Sequence, residues 1–149
     1  MKIHYRYAIL ITWMLVIFFL SNEVADTSSD RSAVIVDALS HSFIGDLWKD
    51  SLTFITRKAA HIIAYFILGI FAYNVTRTYK LSTKRAILLS IAFALIYAVS
   101  DEIHQLFVPG RSGEIRDVLI DTTASTVGIY AYYLIRKRRV NRVNSNNKV

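Results

Sequence analysis

The sequence predicts an all-α integral membrane protein, a bundle of four transmembrane helices with N-in/C-in topology in a single domain, residues 1–149. Three observations lead there. Apolar residues make up 54% of the chain against 19% charged, with a mean hydropathy of +0.36, a balance unsuited to a water-soluble globule of this length. Four charge-poor stretches recur, each near the roughly 20 residues needed to cross a bilayer. None carries the polar stripe, at a 3.6-residue period, that marks a surface helix of a soluble bundle.

The first span is expected over 5–22. Lys2 and Arg6 precede an apolar run from Ala8 to Leu20, a pattern common to secretory signals and uncleaved anchors. The following Ser-Asn-Glu-Val-Ala-Asp offers no small-x-small cleavage site and Trp13 is bulky for a signal core, so an uncleaved anchor is expected. Residues 23–57 form the one long extramembrane segment. Within it Ile35, Val36, Leu39, Phe43 and Leu47 fall at helical spacing, with Asp37, His41 and Asp46 elsewhere on the wheel. This predicts an amphipathic helix over 32–47 on the outer face, capped by Ser28, Ser29 or Asp30, with Trp48 at the interface. The second and third spans, 58–76 and 85–101, are joined by a short basic loop that forces an antiparallel hairpin. The fourth covers 118–135 and ends in a basic tail, 136–149, which reads as a topology stop and lipid-headgroup contact rather than a nucleic-acid arm. Tyr5 and Tyr7, Tyr73 and Tyr79, and Tyr130, Tyr132 and Tyr133 supply interfacial rings.

Charge sets the orientation. With the N-terminus inside, the inner side holds twelve of the eighteen basic residues, among them Arg6, Arg77, Lys84 and Arg136. The outer side holds the other six and all eleven acidic residues, a balance of −5, so the positive-inside rule selects N-in/C-in. The chain's net +7 is thus a sum over two compartments, and it argues for topology rather than for nucleic acid. The lack of cysteine excludes disulfides, thiolate catalysis and Cys-ligated metal centres. No P-loop, dinucleotide fingerprint, G-x-S-x-G, zinc-deaminase or H-E-x-x-H motif occurs, so no cofactor is expected.

Ionisable residues in a spanning helix cost several kcal/mol unless they face a polar interior, which makes each a functional candidate. Here they gather at the outer ends of three helices. Lys58, His61 and Tyr65 open the second span on one face. Asp101, Glu102, His104 and Gln105 close the third, and Asp117 and Asp121 open the fourth one turn apart, on a face continuing through Ala124 and Gly128. The loop between them, LFVPGRSGEIRD, adds a Pro109-Gly110 turn and Arg111, whose planar fork suits carboxylate or phosphate. Helix-end charges are also commonly topology markers or salt bridges, a reading that suits Lys58, Glu114 and Arg116. Asp121, a turn inside its helix, needs a partner such as Arg111, Lys58 or His61. Ala124 and Gly128 form a small-xxx-small pair that close packing alone explains. His61, His104, Asp101 and Asp121 are acceptable zinc or manganese ligands, but with no dense ligand signature the sequence assigns no metal.

Two segments, KAAHIIAYFILG at 58–69 and SDEIHQLFVPGRSGEIRDVLIDTTASTVG at 100–128, resemble the VanZ-like family of small bacterial membrane proteins, named for the teicoplanin-resistance protein VanZ. The matched positions are Lys58, His61, Tyr65, Asp101, Glu102, Gln105, Arg111, Asp117 and Gly128. Asp121 stands where many members have Asn and Ala124 where Gly is common, while Ser21-Asn22-Glu23 is a loose match to a Ser-Gln type of sequence. On this resemblance Asp117 is a stronger catalytic candidate than Asp121. The resemblance implies a multi-pass protein of the cell membrane, in a Gram-positive type of envelope, with low-level teicoplanin resistance. Candidate catalytic residues are His61, Asp101, Glu102 and Asp117; candidate binding residues are Lys58, Tyr65, Gln105 and Arg111. The expected partners are membrane lipid and a lipid-linked cell-wall precursor or other anionic envelope lipid. Three functions stay open: shielding or modifying the outer surface against lipoglycopeptides, intramembrane catalysis on a lipid-linked or phosphorylated intermediate, and a structural role without chemistry.

Overall fold

The computed structural model describes residues 3–22, 46–109 and 113–146. Among them the chain is all-helical, with α1 (Ile3–Ser21), α2 (Asp46–Thr76), α3 (Thr83–Gln105) and α4 (Ile115–Asn146). Each contains a segment long and apolar enough to cross a membrane: Ile3–Ser21, Lys58–Thr76, Thr83–Gln105 and Ile115–Val143. The amphipathic helix expected over 32–47 lies outside the described residues, except that Asp46 and Leu47 open α2.

The helices outrun their apolar cores. At 1.5 Å per residue α2 is about 46 Å long and α4 about 48 Å, against a hydrocarbon thickness near 30 Å. Thus α2 begins at Asp46 rather than 58, and α4 continues to Asn146 through what the sequence suggests is a tail. Hydropathy reports where lipid ends, whereas helix propensity decides where the helix ends. Lys137, Arg138 and Arg139 are good helix formers, and no Gly or Pro interrupts 136–146.

The turn between α2 and α3 is tight. Thr78 bonds the Val75 carbonyl through both its backbone N–H (2.9 Å) and its hydroxyl (2.7 Å), and Ser82 caps α3 by accepting from the Arg85 N–H at 3.4 Å. The resulting hairpin is antiparallel, as the short basic loop implies. Two longer-range pairings show how α4 returns: Ser125 Oγ donates to the Tyr65 carbonyl (2.8 Å), and Tyr132 OH to Asn74 Oδ1 (3.1 Å). These two contacts advance together along both helices, so α2 and α4 run parallel, and they form the bundle's most extensive helix pair.

Small residues bring α2 and α4 together. A Cβ on Gly69 would overlap the backbone of Ser125, and one on Gly128 would overlap the carbonyl of Phe66, so both positions require Gly for the approach. Around this crossing Ile17, Tyr65, Leu68, Ala98 and Ala124 form the main core, while Tyr73, Ala86, Ile87 and Ile129 form a second cluster. Part-buried polar groups bridge helices: Trp13 Nε1 donates to the Ala64 carbonyl (2.9 Å) and Tyr97 OH to the Met14 carbonyl (2.6 Å), tying α1 to α2 and α3. Large apolar side chains such as Phe19, Ile96 and Leu119 point outward, the pattern of a bundle solvated by lipid.

The glycine crossing makes a direct prediction. Gly69→Ala and Gly128→Ala each force the two backbones apart, at a cost of about 1–3 kcal/mol typical of overpacking. Thermal unfolding of the full chain in detergent is expected to show a lowered midpoint for both and little change for the lipid-facing Val127→Ala control; equal effects at all three would contradict the close crossing.

Candidate functional site

All four helices contribute to a polar cluster at one end of the bundle, where α1 and α3 finish and the spans of α2 and α4 begin. Its centre is Asp101, on the last turns of α3 and only 4% exposed. Its Oδ2 accepts from Ser21 Oγ at 2.9 Å, from Tyr65 OH at 3.0 Å and from Gln105 Nε2 at 3.5 Å. Ser21 is the last residue of α1, Tyr65 lies on the inward face of α2, and Gln105 is one turn beyond Asp101 on its own helix. A carboxylate buried in a spanning bundle is tolerable only when donors replace its water, and here three neutral donors converge on one oxygen.

Glu102, the next residue, performs a different task. Its Oε2 accepts the backbone N–H of Glu114 at 2.8 Å, and Oε1 accepts from Gln105 Nε2 at 3.4 Å. The first bond satisfies a donor at the entry to α4 and places a negative charge at that helix's N-terminus, as Asp117 in the first turn also does. Glu102 therefore joins α3 to α4.

On the facing pair of helices the charges form two rungs. Lys58 pairs with Asp117 through Oδ2, while Asp117 Oδ1 is buried with no hydrogen-bond partner among the described residues. One turn further in, His61 Nδ1 stands 3.7 Å from Asp121 Oδ2. Asp121 is 2% exposed and has no other partner among the described residues. The His61 ring stacks on Tyr65 with centroids 6.3 Å apart. Ligand atoms of His61, Asp101 and Asp121 all lie within 4.8 Å of one another, so these three residues could hold a metal ion.

The structure thus brings together Lys58, His61, Tyr65, Asp101, Glu102, Gln105, Asp117 and Asp121. Of the partners expected for Asp121, His61 is the one found, and Lys58 serves Asp117 instead. Asp121 lies beside Asp101 in the buried part of the cluster and Asp117 nearer its rim. His104 points elsewhere: it stacks on Phe18 at 4.5 Å and meets Asn22 Oδ1 at 3.3 Å, which removes it from the ligand set. Arg111 lies outside the described residues. Two contributors carry little sequence signal beyond the loose Ser-Gln match at Ser21. Ser21 carries only the weak signal of a polar residue ending an apolar run, whereas Ser125 sits four residues after Asp121 on the same helical face.

An apolar groove of about 620 Å³ opens between α2 and α4 on the lipid-facing side, lined by Ile62, Ile63, Phe66, Leu119, Ile120 and Val127 among others. Ile62 follows His61 and Ile120 precedes Asp121, so the groove starts beside the polar cluster and runs toward the glycine crossing. At the opposite end of the bundle the charge is basic. Arg77, just beyond the α2 span, has its pKa pulled below the ordinary arginine value by burial and then by the charge of Arg136.

The VanZ/LLP1 family model matches residues 7–136. The chain belongs to the VanZ/LLP1 family. No curated protein and no solved structure matches it. The matched stretch contains every member of the polar cluster, from Ser21 to Asp121. A multi-pass membrane protein of this family therefore carries its buried ionisable groups at one end and its glycine crossing in the middle.

The Asp101 hub can be tested apart from any chemistry. Asp101→Ala leaves the Ser21, Tyr65 and Gln105 donors without an acceptor, at about 1–3 kcal/mol for each one stranded. Thermal unfolding in detergent is expected to fall sharply for Asp101→Ala and within about 0.5 kcal/mol for His104→Ala. Similar losses at both positions would count against the hub.

Proposed function

We propose that this VanZ/LLP1 protein sits in the cell membrane, N-in/C-in, and takes the polar head of an anionic, lipid-linked envelope intermediate at its outer end, lowering the access of lipoglycopeptides such as teicoplanin to their cell-wall precursor. The observation that carries this reading is the pairing of a polar cluster with an apolar groove that begins beside His61 and Asp121. A membrane lipid has the same two parts. Its chain fits a groove already bathed in lipid, where the alternative to an acyl tail is another acyl tail and the head decides specificity. The excess of basic residues at the opposite end supports the orientation. Lys58 and Arg111 are the side chains suited to an anionic head, while Tyr65 and Gln105, whose donors go to Asp101, support the site from behind.

A second reading is favoured by one contact. The Asp121 carboxylate beside His61 Nδ1 holds the ring so that Nε2 can take a proton, the arrangement of a general base. The protein is then an intramembrane enzyme acting on the same class of intermediate, with Asp101, Glu102 or Asp117 as alternative acid–base groups.

Expression in a susceptible Gram-positive host is expected to raise the teicoplanin concentration needed to stop growth. His61→Ala, Arg111→Ala and Asp117→Ala, each checked for normal abundance, are expected to abolish the rise. Unchanged susceptibility between gene deletion and wild type would remove the resistance assignment. Envelope lipid profiles of the His61→Ala strain separate the two readings: an accumulating precursor favours catalysis, whereas an unchanged profile with lost resistance favours binding alone.

A further inference from the structure

We propose that His61, Asp101 and Asp121 form a binding site for a divalent transition-metal ion of the Zn²⁺ or Mn²⁺ class. Asp101 and Asp121 are 4% and 2% exposed, in the interior of a bundle whose outer surface faces lipid. The donors around Asp101 are neutral, and Asp121 has only the His61 ring, Nδ1 at 3.7 Å. Among the described residues even a protonated imidazole leaves one negative charge uncompensated, and such a charge in a low-dielectric interior is costly enough to demand a counter-ion or a proton. Lys58 does not fill that role, because it pairs with Asp117.

The donor set selects the ion. One imidazole nitrogen and two carboxylate oxygens, with ligand atoms within 4.8 Å of one another, draw together on a dication of the zinc or manganese class. An all-oxygen cage would instead indicate calcium or magnesium. The three ligands come from three helices, α2, α3 and α4, so the site is built by the tertiary fold rather than by a local motif. This explains why no ligand signature is visible along the chain.

Asp101 also has the outer partners expected of a metal-binding carboxylate. Ser21, Tyr65 and Gln105 all bond to Oδ2, and no donor among the described residues reaches Oδ1. One oxygen is therefore fixed by the fold while the other is left for an ion, the usual division between an oriented ligand and its supporting shell. With three protein ligands, a fourth position stays open.

The open position gives the ion a purpose that rests on the lipid-head reading above. An end of the bundle rich in carboxylates repels a phosphate-bearing head, and a buried dication cancels the charge of Asp101 and Asp121 while presenting an open coordination position. The ion's fourth ligand is then a phosphate oxygen of that head. The metal site itself does not depend on this last step.

The test uses the full chain, purified in mild detergent without a polyhistidine tag after growth with added Zn²⁺ and Mn²⁺. Elemental analysis is expected to find about one equivalent of metal per chain, with His61→Ala and Asp121→Asn each losing most of it and His104→Ala retaining it. Tyr65→Phe, which removes only an outer partner, is expected to weaken metal affinity about tenfold in titrations. The wild-type thermal midpoint should drop on chelation and recover with Zn²⁺ or Mn²⁺ but not Mg²⁺, a readout available even where a variant fails to fold. Absence of metal from the wild type, or equal metal in wild type, His61→Ala and Asp121→Asn, overturns the proposal. Co-purified lipid is measured on the same samples. Metal without bound lipid upholds the site and sinks the lipid-head reading; bound lipid without metal sinks the site and leaves that reading standing.

Discussion

A carboxylate inside a membrane bundle must find all its partners within the protein, and Asp101 obliges every helix to take part. Its oxygen draws a hydroxyl from the end of α1, a phenol from α2 and an amide from its own α3, while Asp121 of α4 lies close enough to share the same small volume. Each donor sets a depth or rotation. Ser21 can reach Asp101 only if α1 ends at the level where α3 ends. Tyr65 can reach it only if α2 turns that face inward, which also turns Lys58 and His61 toward α4. The interaction is thus a constraint on register as much as a source of stability, and removing it loosens the relations between helices at that end of the bundle.

The parallel pairing of α2 and α4 carries the same register through the bundle. Lys58 meets Asp117, His61 meets Asp121, Tyr65 meets Ser125 and Asn74 meets Tyr132, in order from one end to the other. Such a ladder holds only if the backbones are close in its middle, where Gly69 and Gly128 permit it. The glycines and the charged pairs are therefore two halves of one device: the crossing fixes the approach and the rungs fix the slide. The apolar groove follows from both, since between the crossing and the polar end small and branched side chains leave a cleft open to lipid.

Sequence reasoning reached the architecture and most of the site because both rest on one-dimensional rules. Bilayer thickness sets the length of an apolar run, and the cost of a charge in lipid makes every intramembrane Asp or His conspicuous. It also found the face shared by Lys58, His61 and Tyr65, because helical spacing is local. What it could not supply was pairing between helices. Nothing along the chain distinguishes Lys58 from His61 as the partner of Asp121, and nothing marks His104 as turned toward Phe18 and Asn22 rather than toward its neighbour Asp101. Ser125 escaped for a related reason: a serine costs little in a spanning helix when it can bond a carbonyl, so its presence raised no question. The helix ends at Asp46 and Asn146 were missed because hydropathy is silent once a helix leaves the lipid.

The position of Asp121 shows how one residue can change the demands of a shared scaffold. An Asn at this position, which the resemblance implies for many members, would leave Asp101 as the one carboxylate beside His61 in the ligand group, with its three neutral donors. With Asp at 121 a second carboxylate enters the same volume, and the Lys58–Asp117 pair one turn outward has no charge left over to offset it. Among the described residues Asp121 has only His61 beside it, at a distance longer than a good hydrogen bond. A side chain so nearly buried and so thinly partnered does not pay its way through packing, because the neutral Asn of the same shape would cost less. Its chemistry is therefore the reason to look at it: among the described residues two nearly buried carboxylates, Asp101 and Asp121, share one small volume with a single histidine.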